Sequence, residues 1–591
     1  MTTVDGPRPL RSQQWWDNPA HPDMTALYLE RYLNFGLTGA ELQSGRPIIG
    51  IAQTGSDLVP CNRHHLALAD RVRAGVRDAG GIPLEFPVHP LQETGKRPTA
   101  ALDRNLAYLG LVEILYGYPL DGVVLTTGCD KTTPACLMAA ATVNLPAIVL
   151  SGGPMLNGYV DGRRAGSGLI IWQSRRLLAA GKIDYAEFMD RVSRSATSTG
   201  HCNTMGTALS MNSIAEALGM TLPGCAAIPA PYRERAQIAY DTGYRAVGLV
   251  RENLTPKAIM TREAFENAIV VASAIAGSTN CPIHVNAIAR HVGVDLRNSD
   301  WESVGGSVPI LANCAPAGDY LGEDFYHAGG VPAVLHALLS AGRLHADAMT
   351  VTGRTIGENI AGAASTNPDV IADYDKPFGP RGGVLVLHGN VFSSGMMKMS
   401  VITEELHARY LTSPALTWRA VVFDSPEDYH RRIDDPTLDI DEDCILVVRN
   451  SGNIAYPGSA EVVNMQPPTE LIMRGIEAIP TLGDGRQSGT ADAPSILNIS
   501  PEAAVGGNIA ILRTGDRITL DIPNHRLDVD LTDEEIAERW REYEPPPLDH
   551  QTPWQELFRR YTGQMDTGSC LDFATAYQDI VVTKGMPRDS H

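Results

Sequence analysis

Three cysteines stand in polar, glycine-rich segments, and they are the residues with the clearest potential for chemistry. Cys61 ends the segment GSDLVPC, Cys129 lies in TGCDKTTP and Cys202 lies in GHCNTMG. Each precedes a helical pattern, and the first two follow apolar runs typical of buried strands. Because a helix N-terminus carries partial positive charge, we expect each thiol to have a lowered pKa and to favour the thiolate, which binds metals. The three cysteines are therefore candidate ligands of one metal centre.

Three thiolates suit two kinds of metal centre. One is an iron–sulfur cluster in which one iron lacks a protein ligand and acts as a Lewis acid on a substrate hydroxyl. The other is a zinc ion, which the spacing alone does not exclude. No CxxC pair occurs among the nine cysteines, so the ligands must come from distant segments. Taken singly, each cysteine is more typical of a buried, inert thiol, and we assign that role to the other six.

Several oxygen and nitrogen groups near these cysteines are candidate ligands of a harder metal. Asp130 and Lys131 directly follow Cys129, Glu93 lies in the polar segment HPLQET, and Glu461 follows YPGSA. Carboxylates of this kind suit Mg²⁺, which leaves coordination positions for substrate oxygens. Taken singly, each acid is more typical of a surface or capping residue.

The segment LGDGRQSGT, residues 482–490, contains a candidate base, Ser488, followed by Thr490. A tight turn is the simplest interpretation, and a phosphate-binding loop is disfavoured because no GK[ST] follows. A serine hydroxyl is a poor base unless a nearby cation lowers its pKa. A base at Ser488 therefore requires positive charge close by.

The elements that must position these residues fall into two regions that differ in their patterns of predicted helices and strands. Residues 1–378 alternate apolar runs, at 47–52, 122–127 and 147–150, with helical patterns such as 62–79, which predicts an α/β domain with a parallel sheet. The segment IADYDKPFGPRGG at 371–383 lacks periodicity, and we place the boundary there. Residues 379–591 contain short strand patterns at 383–387, 420–423, 444–448 and 517–522, which predict a β-barrel-like domain with peripheral helices. Thr532 and Thr552 are predicted to begin two closing helices.

Composition and charge exclude several classes of function. The chain has 591 residues and a net charge of −20, which argues against binding nucleic acid or an anionic membrane through a general surface field. No apolar run approaches the roughly 18 residues of a membrane span. The first residues lack an apolar signal region, and the odd number of cysteines disfavours a disulfide framework. We expect a cytoplasmic enzyme.

Longer motifs give the chain a family resemblance that covers about residue 10 to the C-terminal helix. The motifs are TTGCDKTTPACLMAA, PAIVLSGGPMLNG, GHCNTMGTA, GSTN, PGSAEVVNM and LGDGRQSGTADAPSILNISPEAA. With them the chain resembles the dihydroxy-acid and phosphogluconate dehydratase family, and more narrowly its sugar-acid branch, which acts on arabinonate or xylonate. These motifs are long and highly specific.

The resemblance implies both cofactors and roles for the candidate residues. It implies a [2Fe-2S] cluster on Cys61, Cys129 and Cys202, and Mg²⁺ on Glu93, Asp130 and Glu461, with Lys131 carbamylated as a further ligand. Ser488 would be the base, as an alkoxide, and Thr490 would help to hold the substrate. The family fold, an α/β domain followed by a β-barrel-like domain, agrees with the change in secondary-structure pattern near residue 380. Family members are usually homodimers or homotetramers.

Departures from the wider family bear on the choice of substrate. Branched-chain dihydroxy-acid dehydratases tend to carry phenylalanine where Gln487 stands, and glycine-rich sequence near the third cysteine, where this chain has GHCNT. Polar residues fit a polyhydroxylated substrate, because hydroxyls taken out of water need hydrogen-bond partners. We therefore expect dehydration of a small-molecule sugar acid, a pentonate such as L-arabinonate or D-xylonate, to the 2-keto-3-deoxy acid. The alternatives are a branched-chain dihydroxy-acid dehydratase and a non-catalytic metal-thiolate sensor of sugar acids.

Overall fold

The computed structural model describes residues 10–411, 413, 415–490 and 494–589. Its strands, numbered along the chain, are β1 (Ile48–Gln53), β2 (Ile82–Pro87), β3 (Gly122–Thr127), β4 (Ala147–Ser151), β5 (Gly158–Val160), β6 (Arg163–Ala165), β7 (Val384–Leu387), β8 (Ser394–Lys398), β9 (Ala415–Phe423), β10 (Cys444–Val448), β11 (Thr481–Gly483), β12 (Ser495–Ser500), β13 (Arg517–Asp521) and β14 (Arg526–Val529).

The α-helices of the described residues are numbered in the same way. They are α1 (Gln13–Trp16), α2 (Pro22–Leu33), α3 (Gly39–Leu42), α4 (His65–Asp78), α5 (Ala100–Gly117), α6 (Thr132–Val143), α7 (Leu169–Ala179), α8 (Tyr185–Ser193), α9 (Thr207–Ala217), α10 (Arg233–Glu252), α11 (Pro256–Ile259), α12 (Arg262–Ala274), α13 (Cys281–Val292), α14 (Asn298–Gly305), α15 (Gly322–His327), α16 (Gly330–Ser340), α17 (Ile356–Asn359), α18 (Glu404–Tyr410), α19 (Pro426–Arg432), α20 (Thr469–Met473), α21 (Asp533–Glu542), α22 (Pro553–Tyr561) and α23 (Ile580–Thr583).

The first sheet is parallel and has the strand order β2-β1-β3-β4. β1, β3 and β4 are buried along their whole length, which explains why the sequence shows continuous apolar runs there and no alternation. Helices α4 and α10 pack against each other and against this sheet, and α5 packs on α6. The predicted α/β class is confirmed, and the three predicted strands agree with β1, β3 and β4 to within one residue at each end.

The predicted helix over residues 62–79 begins later than expected. A 3₁₀ turn occupies Pro60–Asn62, and the α-helix α4 starts only at His65. Pro60 fixes the first position of this turn, and the tighter 3₁₀ winding precedes the α-helix. As a consequence Cys61 lies within a helical turn, and not in a loop before it.

The second sheet has eight strands and is almost closed into a barrel. Its order is β14-β13-β9-β10-β11-β12-β8-β7, with β9 to β12 parallel and the flanking strands antiparallel. The two edges meet at His388, which donates its backbone N–H to His525 O (3.0 Å) and accepts from Leu527 N (2.8 Å). A separate apolar core fills this barrel, with Phe423, Val447 and Leu482 among its members. The predicted barrel-like fold is confirmed.

The segment predicted to separate the two regions runs against the first one. Gly379 O accepts from Ile310 N (2.9 Å), and Gly382 N donates to Val308 O (2.9 Å). The second sheet then begins at Val384 with β7. A division into independent domains at residues 378 and 379 stays a prediction.

The two closing helices begin as predicted. Thr532 caps α21 in a capping box with Glu535, and Thr552 caps α22 through Gln555 N (3.2 Å). The chain then returns to the first sheet's helices, where Arg104 donates to the carbonyl oxygens of Gly568 and Ser569 at 2.7 Å. Among the helices of the described residues, none is both long and apolar enough to cross a membrane.

Candidate active site

The loops that carry two of the candidate cysteines are joined by one asparagine. β1 and β3 are neighbours in the parallel sheet, so the loops that follow them lie at the same edge. Asn62 Nδ2 donates to Thr54 Oγ1 (2.9 Å), and Asn62 Oδ1 accepts from Cys129 N (2.8 Å). A Cβ atom at Gly128 would collide with Asn62 Oδ1, so this close approach requires glycine. Asn62 therefore fixes the spacing between the Cys61 and Cys129 loops.

The three candidate thiols are brought together, each with a polar neighbour. Gln92 Nε2 donates to Cys61 Sγ (3.3 Å), Ser167 Oγ donates to Cys202 Sγ (3.3 Å), and Cys129 Sγ donates to Asp130 Oδ1 (3.4 Å). Cys61 also lies close enough to Cys129 and Cys202 to raise the pKa of both thiols. The sequence did not single out Gln92 or Ser167, because their proximity to the thiols depends on the fold.

The expectation that helix termini lower the pKa of all three thiols is wrong for two of them. The neighbouring Cys129 thiol lowers the pKa of Cys61, although burial opposes it. The neighbouring Cys61 thiol, burial and the charge of Asp130 together raise the pKa of Cys129. Burial raises the pKa of Cys202 to about 12. Helices α6 and α9 begin three and five residues beyond these thiols, too far for their partial charge to outweigh burial.

Two buried histidines, His65 and His201, and the half-buried His64 lie behind the cysteine loops, and none of them was predicted from the sequence. His64 Nε2 contacts Gly152 O (2.8 Å), His65 Nε2 contacts Thr127 O (2.7 Å), and His201 Nδ1 contacts Cys202 O (2.9 Å). Burial lowers the pKa of His64 to about 4 and that of His201 to about 3. The three rings are therefore neutral and hold the backbone of the cysteine loops. Their positions next to the cysteine motifs were a signal for such a role.

The four candidate ligands of the harder metal meet in one acid cluster with an arginine, Arg486. Lys131 is fully buried, and its Nζ lies 2.8 Å from Asp130 Oδ2 and 3.0 Å from Glu93 Oε2. Arg486 lies 2.9 Å from Glu93 Oε1 and 2.8 Å from Glu461 Oε1. The acid cluster therefore contains three carboxylates and two cations. Arg486 was missed because its partners are far away in sequence.

The electrostatics of the acid cluster follow from its mixed charge. Burial alone would raise the pKa of Glu93, but the charges of Lys131 and Arg486 outweigh it and hold the pKa at about 2. Burial and the charge of Glu93 raise the pKa of Glu461 to about 7, despite Arg486 and Lys131. Burial disfavours the charge on Lys131, but Asp130 and Glu93 outweigh it and raise the pKa of the amine.

A close contact between the barrel and the first region places Glu461 in the acid cluster. Thr99 Oγ1, at the start of α5, donates to Pro457 O (3.1 Å). Gly458 has φ +84°, and a Cβ atom there would collide with Leu102 N and Thr99 Oγ1. Glu461 then pairs with Arg486 as a parallel β-bridge. The turn at Gly458 thus brings a barrel carboxylate to the lysine of the other region.

The candidate base lies in a loop that contacts two segments of the first region. Ser488 Oγ is 3.0 Å from Thr490 Oγ1, and Trp172 Nε1 donates to Thr490 Oγ1 (2.7 Å). A Cβ atom at Gly168 would lie 2.8 Å from Thr490 Oγ1, so glycine permits this approach. Gln487, in contrast, is buried and donates its amide to Ser495 Oγ inside the barrel (3.1 Å). The side-chain amide of Gln487 therefore makes its hydrogen bond within the protein.

One asparagine links the base loop to the acid cluster. Asn280 Nδ2 donates to Glu461 Oε1 (2.9 Å), to Gln487 O (3.3 Å) and to Thr207 Oγ1 at the start of α9 (3.1 Å). On the other side, Ser167 contacts Cys202 and is followed by Gly168, which approaches Thr490. Thiols, carboxylates and hydroxyls therefore belong to one continuous site between the barrel and the α/β region.

The donor sets fit an iron–sulfur cluster and a magnesium ion, respectively. Three thiols are the ligands that such clusters take, and three carboxylates are typical of Mg²⁺. Among the described residues, no three His, Cys, Asp or Glu side chains are already arranged to hold a metal ion. In the acid cluster the carboxylates are not arranged around a metal ion because Lys131 and Arg486 lie between them and pair with them.

A cavity of about 740 Å³ lies at the opposite, amino-terminal edge of the first sheet and has no part in this site. Arginines contribute to its lining, but each is bound to backbone carbonyl groups. Arg11 donates to Tyr118 O (2.8 Å), Arg46 to Gly81 O (2.9 Å) and Arg251 to Ala79 O (2.7 Å). The size of this cavity is therefore no guide to the chemistry of the protein.

Comparison with known proteins identifies the class to which this fold and site belong. The family model described as dihydroxy-acid/6-phosphogluconate dehydratase N-terminal matches residues 46–359, and its C-terminal counterpart matches residues 369–569. The chain therefore belongs to the dihydroxy-acid/6-phosphogluconate dehydratase family. The members of this family are hydro-lyases, so the protein is an enzyme.

Individual relatives narrow the comparison within the family. The chain is 58% identical over 589 residues to a D-xylonate dehydratase of Caulobacter vibrioides, covering 99% of this chain and 98% of that one. It is 45% identical over 592 residues to an L-arabinonate dehydratase of Rhizobium leguminosarum, covering 100% and 99%. A dihydroxy-acid dehydratase of Caldanaerobacter subterraneus is 38% identical over 544 residues, covering 90% and 94%. The resemblance to the family and to its sugar-acid branch is confirmed.

Proposed function

We propose that the protein dehydrates an aldonic acid, a pentonate such as D-xylonate or L-arabinonate, to the 2-keto-3-deoxy acid. The observation that carries the proposal is the joining of three thiols, an acid cluster and a serine–threonine pair in one site. Each group supplies one part of a β-elimination next to a carboxylate. The substrate class is supported by the 58% and 45% identity to a D-xylonate and an L-arabinonate dehydratase along nearly the whole chain.

The residues of the site divide into two ligand sets. Cys61, Cys129 and Cys202 would hold a [2Fe-2S] cluster, while Glu93, Asp130, Glu461 and a carbamylated Lys131 would hold Mg²⁺. When bound, these groups would supply Lewis acids that stabilise the leaving hydroxyl and the negative charge on the substrate. The contacts of Gln92 and Ser167 with two of the thiols orient the first set. Asn280 orients Glu461 in the second.

Ser488 is the proposed base for the proton at C2. As an alkoxide it takes that proton, and the electron pair of the C–H bond becomes the C2–C3 double bond as the C3 hydroxyl leaves. The proton on Ser488 then passes to the departing hydroxide, so that one water is formed and the alkoxide is regenerated. The enol product becomes the 2-keto-3-deoxy acid by tautomerisation. Thr490 lies next to Ser488 and would help to hold both the base and the substrate.

Carbamylation would change the charge of the acid cluster. Lys131 is enclosed by Asp130 and Glu93, and its positive charge opposes binding of a divalent cation there. A carbamate replaces that charge with a negative one and adds oxygen donors at the same place. Protein equilibrated with ¹³C-labelled bicarbonate should show a carbamate ¹³C resonance that is absent from the Lys131→Ala variant. The same spectrum from both proteins would contradict this assignment.

A panel of acids tests the proposed substrate class. The protein is purified without oxygen, reconstituted with iron, sulfide and Mg²⁺, and supplied with pentonates, hexonates and branched-chain dihydroxy acids. We expect keto-acid product from D-xylonate or L-arabinonate, and weaker binding of these anions without Mg²⁺. Product from the branched-chain acids alone would favour the other branch of the family, and no product from any acid would contradict the proposal. The family assignment favours an enzyme over a sugar-acid sensor.

Two further expectations accompany this function. We propose that the enzyme is a homodimer or homotetramer that works in the cytoplasm as part of pentose degradation. Light scattering of the reconstituted enzyme measures the assembly directly. A monomer at micromolar concentration with full activity would contradict it.

A further inference from the structure

Trp172 makes a specific hydrogen bond in the candidate site that the proposed chemistry does not yet use. It is the fourth residue of α7, and its indole Nε1 lies 2.7 Å from Thr490 Oγ1. Thr490 Oγ1 lies in turn 3.0 Å from Ser488 Oγ. Three side chains from two regions of the chain therefore form one row that ends at the proposed base.

The chemistry of the indole group gives this row a direction. An indole N–H donates a hydrogen bond and has no lone pair with which to accept one. Thr490 Oγ1 must therefore accept from Trp172. An ionised Ser488 has no proton to donate, so in that state the Thr490 hydroxyl is the donor of the bond between them. Among the described residues, the acceptor in reach of the Thr490 hydroxyl is Ser488 Oγ. The backbone N–H of Thr490 also points to Ser488 Oγ, at 3.4 Å.

The surroundings of the row hold Trp172 in this orientation. The guanidinium carbon of Arg175, one turn further along α7, lies 4.8 Å from the centre of the Trp172 ring. Gly168, just before α7, has φ +82° and permits the close approach of its backbone to Thr490. The rest of this segment is weakly anchored, since α7 buries only Ile170 and Ser174 and α8 buries no residue. The bond to Thr490 is thus a specific tie between the α7 segment and the barrel loop.

We propose that Trp172 is a positioning residue, which orients the Thr490 hydroxyl so that it donates to Ser488 Oγ and stabilises its alkoxide form. This inference rests on the proposed function of Ser488 as the base. A donor directed at a developing or existing oxyanion stabilises it without reorganisation during the reaction. The same row explains why a threonine hydroxyl, two residues from the base, is part of the site.

The test is the Trp172→Phe variant of the reconstituted enzyme, which removes the N–H and keeps an aromatic ring beside Arg175. We expect kcat to fall about tenfold, as for the loss of one hydrogen bond that orients the donor to the base, with KM within about twofold of the parent value. Substrate deuterated at C2 should then show a primary isotope effect on kcat, because proton abstraction has become slow. The cluster absorption spectrum should not change.

A matched control removes an indole N–H that has no such function. The Nε1 of Trp554, in α22, is buried and makes no hydrogen bond with the described residues. Trp554→Phe should therefore leave kcat and the isotope effect at the parent values. A fall in kcat as large as that of Trp172→Phe would show that the loss is not specific to the site, and would overturn the proposal.

A double-mutant cycle distinguishes a row of bonds from two separate structural effects. Thr490→Val breaks the row, so Trp172→Phe should reduce kcat no further in that background. Thr490→Ser keeps the hydroxyl, and in that background Trp172→Phe should again lower kcat. Multiplicative effects of Trp172→Phe and Thr490→Val would overturn the proposal, as would an unchanged kcat in Trp172→Phe or the lack of an isotope effect in it.

The Ser488→Ala variant separates this inference from the function on which it rests. If Ser488→Ala is inactive while Trp172→Phe is fully active, the positioning role fails and the serine base stands. If Ser488→Ala retains turnover, the serine base itself fails, and the role of Trp172 fails with it.

Discussion

At the scale of single residues, the stability of the acid cluster depends on the ion pairs between its members. Arg486 is 2% exposed and contacts both Glu93 and Glu461, so these carboxylates share one guanidinium group. Charged groups enclosed together are stable only when each lies next to a group of opposite charge. The removal of one member should therefore cost far more than the loss of a surface ion pair.

Substitution of Arg486 tests this dependence. Arg486→Met should lower the free energy of unfolding by about 3 kcal/mol in chelator-treated protein, because two enclosed carboxylates lose their cation. The control is Arg513→Met, which breaks an exposed pair with Glu542 and should cost less than about 1 kcal/mol. Urea unfolding followed by circular dichroism measures both. Equal costs for the two variants would contradict the account of the acid cluster.

The cysteines allow an equally direct comparison. Cys129→Ser should abolish the visible absorption of the reconstituted protein and reduce its iron content, because one of the three proposed thiol ligands is lost. Cys444→Ser makes the same chemical change in β10, where the thiol donates to Asp441 Oδ1 (3.0 Å) and a hydroxyl can do the same. It should keep iron and colour. Iron analysis and absorption spectra decide, and a coloured, iron-loaded Cys129→Ser protein would rule out this ligand.

At the scale of elements, the site depends on a few close contacts between loops of the barrel and helices of the α/β region. The turn at Gly458 packs on the first turn of α5, and the Ser488 loop packs on α7 and on the start of α9. These contacts set the position of Glu461 and Ser488 relative to the thiols. A change of backbone geometry at such a contact should therefore act on catalysis as well as on stability.

Two glycines with the same backbone conformation separate these effects. Gly458→Ala should reduce kcat/KM by more than about tenfold, since a misplaced Glu461 disturbs the site. Its Cβ would collide with α5 at a φ of +84°. Gly475→Ala has a similar φ, +88°, but its Cβ would enter open space, so only the backbone strain of about 1 kcal/mol applies. Steady-state kinetics and melting curves compare the two, and equal loss of activity would argue against the docking role of Gly458.

The strands and the candidate ligands could be predicted from the sequence, because both are local signals. β1, β3, β4 and β10 are continuous apolar runs, and the cysteines stand in distinct motifs. Arg486, Trp172 and Asn280 could not be found in this way, since each acts on residues more than 180 positions away in the chain. The pKa values of Cys129 and Cys202 were mispredicted because neither the Cys61 thiol beside Cys129 nor the burial of both residues is visible in a local segment.

At the scale of the whole molecule, the chain is strongly acidic while its proposed substrate is an anion. The net charge is −20, and the local positive charges of the acid cluster, Lys131 and Arg486, are paired with carboxylates. On the proposed function, attraction of a sugar acid would therefore depend on metal cations bound at the junction of barrel and α/β region. The two halves of the molecule each contribute candidate ligands, so the proposed site exists only where they meet.

The most direct test of the central claim is the turnover of the Ser488→Ala variant on D-xylonate and L-arabinonate. The claim is that a barrel serine removes the substrate proton beside a cluster held by the α/β region. The account predicts that keto-acid formation falls by at least a thousandfold, on the order expected for loss of the base, while the cluster spectrum matches that of the parent enzyme. Turnover close to the parent rate, with the spectrum intact, would contradict it.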